Sequence, residues 1–159
     1  NYGTISSGAD LSGVDLSCGV QDGAVFSSGN NRNLAGLNLD GAQLTNAKFD
    51  GVNLVGASLK GIMGGQGVEP TDFTSADLSG ADLTGAILTG NTFFGQANLT
   101  GAILVNVNLN CDHQANCPNL ISAIFVGANL TGASFVGADV TGADFTDAIG
   151  ANLTGATGV

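Results

Sequence analysis

Residues 123–147 read AIFVG ANLTG ASFVG ADVTG ADFTD, five consecutive units of five residues. Ala opens every unit (Ala123, Ala128, Ala133, Ala138, Ala143), and a bulky apolar residue holds every third place (Phe125, Leu130, Phe135, Val140, Phe145). Gly closes the first four units. A period of five fits neither the 3.6-residue repeat of an amphipathic helix nor the two-residue alternation of a plain strand. Within a unit the small site and the bulky centre lie two residues apart, so both point the same way from an extended backbone. The other three places must turn the chain before the next pair. Gly at the fifth place suits such a corner because it reaches backbone angles closed to residues with a β-carbon. The pattern therefore predicts a backbone wrapped around an axis, with Ala and Leu or Phe inside.

Outward from this stretch the same beat continues. Centres run at Leu11, Leu16 and Phe26, with polar Gln21 in the place between, and then, after a three-residue slip, at Leu34, Leu39, Leu44, Phe49, Leu54 and Leu59. Met63–Pro70 interrupts with four extra residues, and its Gly64, Gly65, Gly67 and Pro70 read as a loop. Phe73, Leu78, Leu83, Leu88 and Phe93 resume; one extra residue near Phe94–Gln96 precedes Leu99, Leu104 and Leu109. A second break, Asn110–Ser122, holds two Cys, His113 and a Pro, and Leu153 centres a last copy. Of these 23 units, sixteen carry Ala at the small site. An internal repeat this regular decides the architecture before any other signal.

Composition removes several function classes. The chain has 159 residues, 43% of them hydrophobic, with three Lys+Arg against thirteen Asp+Glu and a net charge of −10. The length suits one domain, read as residues 1–159 with loops at 63–70 and 110–122. The acidic balance argues against binding nucleic-acid phosphates or anionic membranes. No apolar run reaches the roughly 18–20 residues that span a bilayer. The first residue is Asn and the repeats begin almost at once, which is compatible with a removed leader.

The string A(D/N)LTGA, present within Ala76–Ala86, Ala97–Ala102, Ala128–Ala133 and Ala151–Ala156, resembles the pentapeptide-repeat family. The resemblance covers roughly Ala9 to Gly155. It implies an all-β fold, a right-handed quadrilateral parallel β-helix with four pentapeptides per coil, here about seven coils with two loop insertions. The inner ladder is then expected to include Leu78, Leu83, Leu88, Phe93, Phe125, Leu130, Phe135 and Phe145. Phe73 and Phe93 are four units apart, as are Phe125 and Phe145, so each pair is expected to stack on successive coils. Arg32, Thr71 and Asn91 stand at small sites where Ala is expected. Arg32 and Thr71 restart the register after a break and are expected to be partly open. Asn91 inside a regular run, like Gln21 at a centre, needs a hydrogen-bond partner if buried. Neither end has a capping helix in its sequence; Tyr2 and Ile5 could form a small plug, or something else covers the ends.

Cys111 and Cys117 flank five residues of the second break. Three readings stand: a disulfide clip, a metal site with Asp112 and His113, or free thiols. The spacing matches no standard zinc pattern, and Cys111–Cys117 is carried forward as the disulfide candidate. Cys18 lies too many coils away to reach either partner. A clip of this kind points to an oxidising, extracytoplasmic setting (secreted, periplasmic or lumenal). No catalytic residue, metal ligand set or cofactor motif emerges. His113 has no nucleophile context, Gly64–Gly67 lacks the Lys and Ser/Thr of a phosphate loop, and Asp77 and Asp82 are expected on different sides of the coil. The sequons at Asn98, Asn129 and Asn152 are copies of the repeat itself.

The expectation is a non-catalytic structural or protein-interaction solenoid, with no cofactor, no small-molecule substrate, no nucleic acid and no membrane span. Its partner is expected to be another protein or a second copy stacked head to tail through uncapped coils. The resemblance also implies an alternative, an acidic DNA mimic that binds DNA gyrase and protects it from quinolones. Against that stands Asp112 as the sole acid between Leu83 and Ala138. A second alternative is an ice-binding face, but counting four pentapeptides per coil aligns Thr74 with Phe94 and Val126 with Thr146, so no uniform Thr column is expected.

Overall fold

A computed structural model describes residues 8–14, 26, 33–65, 70–111 and 117–159. The local unit is built by two backbone devices. In Leu39–Ala42 the N–H of Ala42 donates to the Leu39 carbonyl at 2.9 Å, and Gly41 between them has φ +69°. A positive angle at the third of four residues defines a type II turn, and it explains Gly at the fifth place of the repeat. Among the described residues six non-glycines take the same left-handed angle at that place: Asn46, Ser75, Gln96, Asn106, Ser122 and Asp147. The second device accounts for Asn or Asp before the centre. Its side-chain oxygen accepts the N–H two residues on, as from Asp77 to Ser79 at 3.1 Å and from Asn129 to Thr131 at 3.1 Å. The Ser or Thr hydroxyl after the centre often donates to that same oxygen, for example Thr131 to Asn129 at 2.7 Å. The hydrophilic triplet thus satisfies its own outward backbone.

Units join by parallel bridges between successive coils, and these fall into four columns, one per side. The first side is Asn33, Asn53, Asp77, Asn98, Ile124, Asp144, and the second Asp10, Asn38, Ser58, Asp82, Ile103, Asn129, Ile149. The third is Gln43, Met63, Ile87, Asn108, Ser134, and the fourth Lys48, Asp72, Phe93, Asn119, Asp139, Thr157. Four two-residue strands stand out in these columns: β1 (Met63–Gly64) pairs with β3 (Ile87–Leu88), and β2 (Thr71–Asp72) with β4 (Thr92–Phe93). The centre follows each bridge residue and points inward. Leu34, Leu54, Leu78, Leu99 and Phe125 are fully buried on the first side, as are Leu39, Leu59, Leu83, Leu104 and Leu130 on the second. Fully burying one such side chain is worth roughly 1.5–3 kcal/mol before entropy.

The fourth side carries a stack of rings. Phe26, Phe49, Phe73 and Phe94 follow one another at centroid distances of 4.7, 5.1 and 5.0 Å, with planes within 10° of parallel. Near the C-terminal end Phe125 stacks on Phe145 at 4.9 Å, and Phe135 meets both edge-on at 6.1 Å. The expected Phe125–Phe145 stack is present; the expected Phe73–Phe93 stack is not. Phe94 is the buried centre and Phe93 is a half-buried residue on the outer surface. The extra residue sits earlier than the sequence reading placed it, at Gly90–Asn91, where Asn91 N–H leaves its own turn to donate to the Gly65 carbonyl. The small site is consequently Thr92, fully buried, and Asn91 is only half-buried.

Two loop boundaries also contract. Met63 and Gly64 belong to the coil, and the first insertion lies between Gly65 and Thr71. Asn119 bridges Phe93 and Asp139, and Leu120 is a buried centre, so the coil has resumed by Pro118. The sequence reading missed Leu120 because a Cys–Pro pair, not an Ala, leads into it. Thr71 is wholly buried instead of partly open. Gln21, Arg32, Cys18, Tyr2, Ile5, Asp112 and His113 lie outside the described residues.

Candidate functional site

The inner ladder contains no chemistry. Leu78, Leu83, Leu88, Leu130, Phe125 and Phe135 are closed off from solvent, and Phe145 is half-buried. Consecutive centres such as Leu78, Leu83 and Leu88 belong to different sides of one coil, so they pack across the interior and not upon each other. Any site must therefore lie on the outer triplets, the corners or the coil edges.

The outer acids do not converge. Asp77 is on the first side and Asp82 on the second. Asp10, Asp72, Asp77, Asp82, Asp139 and Asp144 are each held by their own turn, whereas Asp40 accepts from the Ser58 hydroxyl and the Lys60 amide of the next coil. Thr141 donates its hydroxyl and its amide to Asp139, and Thr146 does the same for Asp144, holding both carboxyls below the usual value. Asp10 is lowered by the amide and then the hydroxyl of Ser12. Partial burial pushes Asp82 up, but the hydroxyl and amide of Thr84 and the neighbouring Lys60 together outweigh it and leave it lowered. Lys60 and Asp82 are 3.3 Å apart on the surface. None of these groups has the raised carboxyl of a general acid. Among the described residues no three His, Cys, Asp or Glu side chains gather to hold a metal ion, and no helix is long and apolar enough to cross a membrane.

Charge is unevenly spread along the rod. From Leu83 to Cys111 and from Cys117 to Ala138 there is no Asp, Glu, Lys or Arg. On this uncharged belt Ile87, Ile103, Ile121, Ile124 and Val136 are exposed, distributed over all four sides. A shallow notch of about 230 Å³ opens on the fourth side, where Gly95 stands between Thr74 and Ile121, with Phe93 and Asn119 beside it. Thr74 thus lies next to Gly95, not Phe94, and the absence of a Thr column still holds. A wider cleft of about 420 Å³ lies on the third side between Phe135 and Asn152. It exists because the last coil is cut short: Asp139 pairs with Thr157, where four full pentapeptides would bring Val159, and Gly150, directly after the bridge residue Ile149, packs against Thr131.

Cys111 and Cys117 form a disulfide with Cα atoms 4.1 Å apart. It rests on the next coil, where a β-carbon placed on Gly137 would meet the Cys111 Sγ. Between residues 33 and 149 the corner that holds it contains the other insertions as well. Between the third and fourth sides the bridge residues are five apart in Gln43–Lys48, nine in Met63–Asp72, six in Ile87–Phe93, eleven in Asn108–Asn119 and five in Ser134–Asp139. At each of the other three corners they are five apart from residue 33 to residue 149.

A family model for pentapeptide repeats matches residues 30–61, 71–90 and 119–149 in eight copies, more than half of the chain. The chain belongs to the pentapeptide-repeat family, whose members are right-handed quadrilateral β-helices. Among solved structures it is similar to HetL, a pentapeptide repeat protein involved in heterocyst differentiation regulation from the cyanobacterium Nostoc sp. strain PCC 7120. The identity is 26%, over 94% of this chain and 83% of that one, with a TM-score of 0.48. Rfr23 from the cyanobacterium Cyanothece 51142 shares 24% identity over 94% of this chain and 84% of its own, at a TM-score of 0.44. QnrB1, a plasmid-mediated fluoroquinolone resistance protein, shares 23% over 94% of this chain and 65% of its own, at 0.49. No curated protein sequence matches the chain.

Proposed function

We propose that the protein is a non-catalytic interaction solenoid whose partner is another protein, and that this partner includes a second copy paired coil against coil. The observation that carries the reading is the edge of the coil 139–157. There Ala143, Phe145, Ala148, Leu153 and Ala156 are only partly covered, although their counterparts one coil earlier are closed. The N–H groups of Phe145 and Asp147 donate to nothing among the described residues, whereas those of Phe125 and Gly127 donate to Asp144 and Thr146. An unpaired parallel edge with apolar centres at five-residue spacing is a template for another coil of the same repeat. The shortened third side leaves the neighbouring sides as the edge for pairing. Light scattering from micromolar to millimolar protein tests it: a mass that climbs with concentration supports coil pairing, and one monomer mass throughout overturns it.

An extracytoplasmic site of action is part of the proposal and is supported by the Cys111–Cys117 disulfide. Thiol labelling of native material should then leave both residues unmodified. The charge layout weighs against DNA mimicry, because the uncharged belt encircles the rod where a mimic needs regularly spaced acids. The purified protein is expected to leave gyrase supercoiling unchanged.

A further inference from the structure

The corner that carries the disulfide has a close relative one coil earlier. Phe93 bridges Asn119, and Ile87 bridges Asn108, so the segments 87–93 and 108–119 begin and end side by side. The first takes six steps and the second eleven. The Cα atoms of Cys111 and Cys117 are 4.1 Å apart, close to the spacing of about 3.8 Å between residues joined by a peptide bond. If the chain is followed across the disulfide instead of through residues 112–116, the second path also takes six steps. Cys111 then stands below Gly90, whose N–H donates to the Asn110 carbonyl, and Pro118 below Thr92, whose carbonyl accepts from Asn119. Cys117 falls below Asn91. Beneath, the Cys111 N–H donates to Val136 and the Asp139 N–H to Pro118, each at 3.0 Å.

We propose that the Cys111–Cys117 disulfide acts as a covalent register clip: it takes the place of one peptide link, so that the coil keeps its register from Cys111 directly to Cys117. The clip also makes this corner redox-sensitive. A dithiol reductant supplies two electrons and two protons, the S–S bond breaks to two thiols, and the reductant closes to its own cyclic disulfide. The ends at Cys111 and Cys117 then part, and the contact over Gly137 loosens.

Three measurements test this. The double variant Cys111→Ser/Cys117→Ser should lower Tm by about 4–10 °C, as expected for removing a short closed loop from a chain of this size. Replacing residues 111–117 by Gly-Asn, the pair at Gly90–Asn91, should return Tm to that of the oxidised parent. In the parent itself, dithiothreitol should raise amide exchange at Gly137 and Asp139 by about tenfold or more while Leu54 and Leu78 keep their rates. An unchanged Tm in the Ser variant overturns the clip. So does a Gly-Asn variant no more stable than the Ser variant, or exchange at Gly137 and Asp139 that ignores the reductant.

Discussion

Two corners of the same solenoid behave in opposite ways. Between the first and second sides every described coil turns in five residues, through small sites Leu37, Ala57, Ala81, Ala102, Ala128 and Ala148. Between the third and fourth sides the small sites are Ala47, Thr71, Thr92, Pro118 and Ala138, and the turn takes five to eleven residues. Even so, the columns on either side of the variable corner stay in register, with Phe49, Phe73 and Phe94 stacked within about 5 Å of one another. The difference teaches what the fold demands. Stacked centres and bridged triplets must align from coil to coil, while a corner can leave the coil if it brings its own closure. Each departure has one. The Thr71 hydroxyl donates to the Leu44 carbonyl and accepts from the Gly65 N–H, both at 2.9 Å. Gly90–Asn91 borrows the Gly65 carbonyl, and Cys111 is tied to Cys117. Nearer the N-terminus the break is shared between two corners: twelve residues separate Val14 from Phe26 where seven separate their counterparts Ala42 and Phe49, and eight separate Phe26 from Leu34 where five separate Phe49 from Leu54.

The most severe way to break the comparison is to give the regular corner a departure with no closure. Inserting Gly-Ser-Gly-Ser between Gly80 and Ala81 separates the Ala81 N–H from the Leu78 carbonyl. It should cost about 3 kcal/mol or more in denaturant unfolding. The same four residues placed after Gln66 should cost under about 1 kcal/mol, because lengthening an existing loop carries little extra entropy.

A smaller effect sharpens the contrast inside the variable corner. Thr71 and Thr92 occupy the same column, and both are fully buried. Thr71→Val strands the buried Gly65 amide, while the Leu44 carbonyl keeps the Ala47 N–H, and should cost about 1–3 kcal/mol. Among the described residues the Thr92 hydroxyl oxygen has no partner, so Thr92→Val should leave Tm unchanged or raise it slightly.

The smallest expected effect concerns the outer turns that all four sides share. Asp139 has a carboxyl held below its ordinary 3.8 by the Thr141 hydroxyl and amide. A group whose folded value is depressed adds stability above its ordinary value and loses it as pH falls through the folded one. Asp139→Asn should therefore flatten the acid limb of a stability profile below about pH 4 and leave the neutral plateau near that of the parent.

Most of the solenoid is legible in the sequence because its rules are local. The Ala-x-Leu pair predicts the interior, and Gly at the fifth place predicts the turn. What the sequence hides depends on which coil lies next door. Phe93 and Phe94 are adjacent, both aromatic, and either keeps a tolerable beat with Leu99; only the stack beneath Phe73 distinguishes them. Leu120 is invisible behind Cys117–Pro118 because its small site is Pro. That every insertion between residues 33 and 149 falls on one corner emerges only when bridges are counted. The role of Asn and Asp before the centre could have been read from the motif, since Asx turns favour those residues with Ser or Thr two places on. The proposed pairing edge is legible only as a coil with no capping helix in its sequence; which centres stay partly covered there, Phe145 and Leu153 among them, depends on contacts between coils.

Comparing Phe93→Ala with Phe94→Ala by equilibrium unfolding tests most directly whether the register shift lies within the variable corner. Phe94→Ala removes a wholly buried ring from the stack and should cost about 3–5 kcal/mol. Phe93→Ala trims a half-buried ring from the outer face and should cost less than about 1 kcal/mol. Equal losses, or a larger loss at Phe93, would contradict the account.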